Sequence, residues 1–223
     1  MGVGHAAVAL GASRVVPRVN VGWLVFAALL SDLLLGIFAF MGLEHASVPP
    51  DYAQRHYLWF TFPYSHGLLP LVLWAAIAGL AVSQLERFDR WRVSIVVAVV
   101  VLSHFVLDAV VHVAGLPLAG ENSAKIGLGL WNHMPLELAL ETLMAVVGVV
   151  IYLRVAGSGA SPVSRYGIPA LMVFLTAMTW TQLFSNEPPR PDQLVFFWIA
   201  SPLVLSIVAY LLDRGRASRA TAE

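Results

Sequence analysis

The stretch VSIVVAVVVLSHFVLDAVVHVAG, residues 93–115, decides the fold class of this chain. It is long enough to cross a bilayer as one helix, which needs roughly 20 mostly apolar residues. Within it, His104, Asp108 and His112 follow one another at every fourth position. On a helix this spacing puts the three side chains on one face, about one turn apart. Ionisable groups in a membrane-spanning helix are costly, so this stripe indicates a functional site.

The composition predicts a polytopic membrane protein. Of the 223 residues, 59% are hydrophobic and 12% are charged, with a mean hydropathy of +0.78. A soluble domain of this size needs a more polar surface. Thirteen basic residues balance 13 acidic ones, so no basic surface points to nucleic acid as a partner. The absence of cysteine excludes disulfides and thiolate metal sites, which leaves His, Asp and Glu as candidate ligands.

Six stretches are long and apolar enough to span a bilayer. They lie near residues 20–42, 66–85, 93–115, 133–153, 167–185 and 194–213. The apolar piece from Gly2 to Ser13 is too short to span, so we expect a re-entrant or interfacial helix there. The predicted fold is therefore all-α: a single membrane-embedded domain over residues 1–223, with six spans and a short N-terminal helix.

The basic residues predict the orientation of these spans. One side of the six-span arrangement holds ten arginines: Arg14, Arg18, Arg87, Arg90, Arg92, Arg154, Arg165, Arg214, Arg216 and Arg219. The other side holds Arg55, Lys125 and Arg190. Because positive residues accumulate on the cytoplasmic side, both termini are expected in the cytoplasm of a cell whose membrane holds the protein.

Polar residues recur in the first four spans. Asp32 is expected near the middle of the first span, and His66 begins the second. The fourth span repeats the fourfold spacing with His133, Glu137 and Glu141. At about 1.5 Å of rise per residue, these groups converge in a graded polar cleft that opens outward. The fifth and sixth spans have a bland composition, which is typical of scaffold or lipid contact.

Such a cleft suits a divalent metal ion. Zn²⁺ takes His nitrogen and carboxylate oxygen in three or four positions, with Mn²⁺ or Mg²⁺ as alternatives. The ion also compensates the buried carboxylates and makes a water nucleophile available near neutral pH. A carboxylate that is not a ligand then serves as general base, for which Glu137 and Glu141 are the candidates.

Several short motifs resemble the bacterial membrane-bound metal-dependent hydrolase family, the YdjM-like inner-membrane proteins. The best match is Ser103-His104 through Asp108, followed by Ala114-Gly115-Leu116-Pro117-Leu118. Gly4-His5-Ala6-Ala7, Ser31-Asp32 and Tyr64-Ser65-His66-Gly67 resemble the other landmarks. The resemblance covers roughly residues 4–131 and implies a bacterial inner-membrane hydrolase.

The resemblance implies a set of ligands for this sequence. They are His5, Asp32, His66, His104 and Asp108, with Ser65, Ser103, His112 and His133 as second-shell or entrance residues. Two of the family's features are missing: its Pro-Asp-x-Asp-His motif is reduced to Asp32, and Thr61-Phe62-Pro63 replaces a His-Arg-Gly. The substitutes for the missing ligands would be His112, His133, Glu137 or Glu141.

Three functions fit these observations. The first is a membrane-embedded metal-dependent hydrolase that acts on a lipid or other amphiphile. The second is a proton- or ion-coupled transporter that uses the same residues as a relay. The third is a metal-binding membrane protein without catalysis. The lipid bilayer is a partner in all three, and the sequence leaves the substrate and the oligomeric state open.

Overall fold

A computed structural model describes residues 2–85, 89–157, 160–185 and 187–220 of the chain. Its helices are α1 (Gly2–Ala12), α2 (Val21–Ala28), α3 (Leu30–Phe40), α4 (Tyr52–Arg55), α5 (Leu68–Leu85), α6 (Arg90–Val111), α7 (Met134–Ala156), α8 (Pro162–Trp180) and α9 (Pro191–Ala220). Two 3₁₀ turns, Leu130–His133 and Thr181–Phe184, adjoin α7 and α8. The short strands are β1 (His45–Ser47), β2 (Trp59–Thr61), β3 (Leu116–Pro117) and β4 (Lys125–Ile126).

The long helices α5 to α9 each have the length and hydropathy to cross a membrane. The bent pair of α2 and α3 provides a sixth span if it is counted as one, and α1 is a shorter apolar helix. These features confirm the predicted all-α helical bundle and fit a multi-pass membrane protein. The strands form two small antiparallel hairpins, with Ala46 opposite Phe60 in the first and Leu116 opposite Ile126 in the second.

The first span is not the continuous helix expected over residues 20–42. It breaks at Leu29, and α3 leaves α2 at an angle of 50°. The carbonyl of Ala28, the last residue of α2, instead accepts a hydrogen bond from the His104 ring at 2.8 Å. A side chain that inserts into the backbone ladder is a known cause of a helix kink. Asp32 consequently lies in the first turn of α3 rather than mid-helix, where the helix dipole favours a carboxylate.

The ends of four helices meet around Asp213, a completely buried residue of α9. Its carboxylate accepts hydrogen bonds from the Val21 amide at the start of α2 (2.8 Å) and from the Tyr152 hydroxyl near the end of α7 (2.8 Å). The same hydroxyl contacts the Ser164 carbonyl in the first turn of α8. Arg216 pairs with Asp213 from the next turn of α9. Asp213, at the end of the sixth predicted span, thus forms a buried ion pair that the bland composition of that span did not suggest.

The short helix α1 packs along α7, and one glycine permits this contact. A Cβ atom on Gly148 of α7 would lie 2.7 Å from the Ala7 carbonyl oxygen and 3.0 Å from the Ala7 Cα atom. No side chain fits in that space, so the two backbones touch. Most residues of α1 are buried, including His5 and Leu10. The N-terminal helix is therefore an internal element of the bundle rather than one on its surface.

Candidate metal centre

Three helices and one loop bring five predicted residues together. His5 comes from α1, Asp32 from α3, His104 and Asp108 from α6, and His66 from the loop just before α5. Their ligand atoms form two overlapping groups within 4.8 Å: His5, His104 and Asp108, and Asp32, His66 and His104. The bundle therefore brings polar residues from four separate elements to one place.

The two central imidazoles face each other through their Nε2 atoms, which lie 3.1 Å apart in His66 and His104. The other ring nitrogen of each is already engaged. His104 Nδ1 lies 2.8 Å from the Ala28 carbonyl, which can only accept, so this nitrogen carries the proton. His66 Nδ1 lies 2.7 Å from the Ser65 hydroxyl. A neutral His104 therefore presents an Nε2 lone pair toward His66.

The carboxylate of Asp108 lies beside these two rings and holds both of its oxygens against imidazoles. Its Oδ2 atom is 3.3 Å from His104 Nε2, 3.6 Å from His66 Nε2 and 3.6 Å from His112 Nε2. Its Oδ1 atom is 3.2 Å from His5 Nε2. One buried carboxylate thus connects four histidines.

The separations between these atoms match those of a metal site. A tetrahedral ion with ligands about 2.0–2.2 Å away keeps them roughly 3.3–3.6 Å apart. The nitrogens of His66 and His104 and the Asp108 oxygen are 3.1 to 3.6 Å apart. Asp32 Oδ1 lies 3.8 and 3.9 Å from the two nitrogens. The two nitrogens with either carboxylate oxygen form a donor set that Zn²⁺ accepts, so a divalent cation fits the residues present.

His5 reaches the cluster because α1 is internal. Its ring stacks on that of His104, with centroids 3.7 Å apart and planes within 7° of parallel. Its Nε2 atom faces Asp108 Oδ1, which can only accept, so Nε2 carries the proton and donates. In this arrangement His5 orients Asp108, and its own Nδ1 is buried without a hydrogen-bond partner.

Asp32 is the accessible member of the cluster. Its side chain is 28% exposed, whereas those of His66, His104 and Asp108 are 4%, 1% and 3% exposed. The break between α2 and α3 turns this carboxylate toward the edge of the cluster. A small molecule approaching the buried histidines from this side would meet Asp32 first.

Sequence reasoning missed one residue of the site, Glu44. Its carboxylate is 2% exposed and accepts hydrogen bonds from the backbone amides of Tyr64 (2.7 Å) and Ser65 (2.9 Å) and from the Ser65 hydroxyl (2.6 Å). Burial raises the pKa of Glu44, and these hydrogen bonds oppose the shift. The only available signal was an acidic residue in the same loop as the histidine motif.

His112 lies at the end of α6, between the cluster and a wall of aromatic rings. Its ring centroid is 3.9 Å from that of Trp131, 5.4 Å from Phe62 and 5.7 Å from Phe60. With its Nε2 atom near Asp108, it lies at the border of the cluster.

Glu137 and Glu141 are buried at 2% and 3% exposure, one helical turn apart on α7. Both line a cavity of about 250 Å³ with Leu58, Phe60, Trp131 and Met134. Among the described residues, neither belongs to a group of ligand atoms close enough together to hold a metal ion.

Two further predicted residues have different surroundings. The Ser103 hydroxyl donates to the Val100 carbonyl of its own helix at 2.7 Å, which ties it to the α6 backbone. His133 is exposed at the start of α7. The fourfold spacing of His133, Glu137 and Glu141 therefore does not extend a polar stripe as far as His133. Ser65, by contrast, is fully buried and contacts His66 as a second-shell residue.

Comparisons with known proteins found no match to this chain. No protein-family model, curated protein or solved structure matches the chain. The resemblance to membrane-bound hydrolases accordingly rests on the quoted motifs.

Proposed function

We propose that this protein is a membrane-embedded, metal-dependent hydrolase. The observation that carries the proposal is the 3.1 Å approach of His66 Nε2 to His104 Nε2 beside two carboxylates. When both rings carry their proton on Nδ1, two lone pairs face each other and repel, and a shared cation removes that repulsion. His66, His104, Asp108 and Asp32 would hold the ion, with His5 and His112 packed around Asp108.

A divalent cation at this position supplies a Lewis acid that activates water near neutral pH. The donors select its type: two imidazoles and two carboxylates with no thiolate favour Zn²⁺, and Mn²⁺ suits the same set. Burial in an apolar bundle keeps competing water away from the reacting groups and strengthens every charge interaction inside.

The carboxyl pair provides the proton chemistry. Glu137 and Glu141 both line the cavity, so one can accept a proton from the reacting water while the other donates to the leaving group. The apolar side chains of Leu58, Phe60 and Met134 in the same cavity suit the hydrocarbon part of an amphiphile. We therefore assign the substrate to the class of lipids or similar amphiphiles, with a hydrolysable bond near its polar end.

The orientation follows from the arginines. The contacts around Asp213 place the start of α2, the end of α7, the start of α8 and the end of α9 at one end of the bundle. Arg154 and Arg165 belong to the same helix ends. Because such residues stay on the cytoplasmic side, we infer that this end faces the cytoplasm of a bacterial inner membrane. The Glu137–Glu141 cavity then opens toward the outer leaflet.

The test measures metal content and lipid hydrolysis on the same purified protein. We expect about one equivalent of Zn²⁺ or Mn²⁺ in the wild type, and loss of most of it in His66→Ala and His104→Ala. His133→Ala is the matched control, since this histidine is exposed. Vesicles of phosphatidylglycerol and phosphatidylethanolamine, followed by mass spectrometry, report turnover, which Glu137→Gln and Glu141→Gln should reduce without removing the metal.

The outcomes separate the alternatives. A metal-free wild type that His104→Ala does not alter contradicts the metal centre itself. Bound metal without turnover of either lipid, or of soluble ester and phosphoester probes, instead identifies a metal-binding protein without hydrolase activity.

One observation favours a second candidate, an ion-coupled transporter. The first span is broken, and the ionisable Asp32 lies directly after the break, as in discontinuous helices that line ion pathways. Proton flux into proteoliposomes that Asp108→Asn abolishes would support this function. Equal proton flux in empty vesicles and in vesicles that contain the protein would contradict it.

A further inference from the structure

The first hairpin places Glu44 against the loop that carries His66. β1 begins at His45 and pairs with β2, whose last residue, Thr61, lies opposite His45. This pairing brings Glu44 beside the backbone of Tyr64 and Ser65, where its Oε1 atom accepts two amide hydrogen bonds. The carboxylate is thereby held by main-chain donors, and its second oxygen points to the Ser65 hydroxyl at 2.6 Å.

The Ser65 hydroxyl connects this carboxylate to His66. It lies 2.6 Å from Glu44 Oε2 and 2.7 Å from His66 Nδ1, and it has one proton to donate. An ionised Glu44 can only accept, so the Ser65 proton points to Glu44. The hydroxyl oxygen must then accept the proton of His66 Nδ1, which leaves His66 Nε2 unprotonated.

We propose that Glu44, acting through Ser65, is a positioning residue that fixes His66 in the Nδ1–H tautomer. In that tautomer the Nε2 lone pair faces His104 Nε2 and Asp108, as a metal ligand must. The effect on metal affinity rests on the proposed metal centre, whereas the tautomer itself does not. His104 has its tautomer fixed by the Ala28 carbonyl, so two separate devices prepare the two central ligands.

The variant Glu44→Gln tests the direction of the relay. The amide oxygen keeps the two backbone donors, so its NH₂ group takes the position of Oε2 and donates to Ser65. The Ser65 proton must then turn to His66 Nδ1, and the imidazole proton moves to Nε2. We expect this change of tautomer, together with a 10- to 100-fold loss of Zn²⁺ affinity, the range typical of second-shell partners.

The tautomer is read from the ¹⁵N shifts of labelled histidines in metal-free protein in nanodiscs, with the His66 signals assigned by His66→Gln. Zn²⁺ affinity is measured by competition with a chromophoric chelator. Glu121→Gln is the matched control, because it makes the same change at an exposed glutamate that pairs with Lys125. Ser65→Ala should lose the fixed tautomer, and Ser65→Thr, which restores a hydroxyl, should recover it.

A wild-type His66 that carries its proton on Nε2 overturns the proposal without any variant. A folded Glu44→Gln protein with an unchanged tautomer does the same. If Glu44→Gln does not fold, the Ser65→Ala and Ser65→Thr pair decides, since equal tautomers in the two contradict the relay. A wild type that shows the Nδ1–H tautomer and binds no Zn²⁺ contradicts the metal centre and leaves the relay intact.

Discussion

The Nε2 atoms of His66 and His104 lie 3.1 Å apart in the interior of the bundle, and the opposite nitrogen of each ring contacts an oxygen. Buried polar atoms are normally paired, and with the Nδ1–H tautomer in both rings these two nitrogens are acceptors that have no proton to share. Asp32 and Asp108 add carboxylates to the same place. A cation that satisfies all four groups stabilises the folded protein, and the first prediction concerns this stabilisation.

Zn²⁺ should raise the thermal stability of the metal-free protein, because only the folded state assembles the ligands. At 100 times the dissociation constant, a ligand of the folded state stabilises it by about 2.7 kcal/mol. The measurement is the melting temperature in nanodiscs after chelator treatment, with and without added Zn²⁺. A shift of equal size in His104→Ala would falsify the assignment of this cluster as the binding site.

His5 should matter less than the ligands. Its Nε2–H orients Asp108, and its ring stacks on His104, so it contributes through two contacts. His5→Phe keeps a ring for stacking and removes the donor, and we expect a 10- to 100-fold weaker Zn²⁺ affinity. Chelator competition measures this effect. Affinity as low as in His104→Ala would instead make His5 a direct ligand.

The position of α1 should depend on Gly148. A methyl group there would meet the Ala7 backbone at 2.7 Å, so Gly148→Ala forces α1 away from α7. Overpacking of this kind costs about 1–3 kcal/mol, and the displacement moves His5 from Asp108. Gly11→Ala is the control, because its new methyl would have its nearest contact at an ordinary 3.9 Å. The melting temperature and the Zn²⁺ affinity should both fall in Gly148→Ala and remain near wild type in the control.

The ion pair of Asp213 and Arg216 should be a large contributor to stability. Removal of one partner from a buried pair costs about 3–5 kcal/mol, because the other charge stays buried and unpaired. Asp213→Asn also weakens the cap on α2. The control is Asp89→Asn, which breaks an exposed pair with Arg92 at the same spacing and should cost no more than about 1 kcal/mol. Similar melting temperatures for the two variants contradict this ranking.

Helix α2 lies between Asp213 and the histidine cluster, so a change at Asp213 can reach the cluster indirectly. Asp213 lies at the end of α2 opposite to Ala28, whose carbonyl contacts His104. An eight-residue helix therefore connects the ion pair to the candidate metal centre. A loss of Zn²⁺ affinity in Asp213→Asn is expected to follow its loss of stability rather than a change in the ligands.

The sequence by itself determined the all-α class, the places of the five long apolar helices and the pairing of His104 with Asp108. All three depend on local physics. A run of roughly 20 apolar residues is favourable in a bilayer only as a helix that satisfies its own backbone. Residues four apart on a helix are neighbours whatever surrounds them, and their side-chain atoms lie 3.3 Å apart here.

Only the tertiary structure decided how the site is completed. The break after Ala28 depends on a histidine 76 residues away, and the place of His5 depends on an aspartate 103 residues away. In the sequence, Glu44 is an ordinary acidic residue of a loop, and only the hairpin brings it against Ser65. Hydrophobic periodicity fixes which residues form helices, but it does not specify which distant carbonyl or carboxylate each polar side chain meets. In an apolar bundle, small residues such as Gly148 decide how closely the helices approach one another. Buried polar groups must then pair with the partners that this packing brings near them.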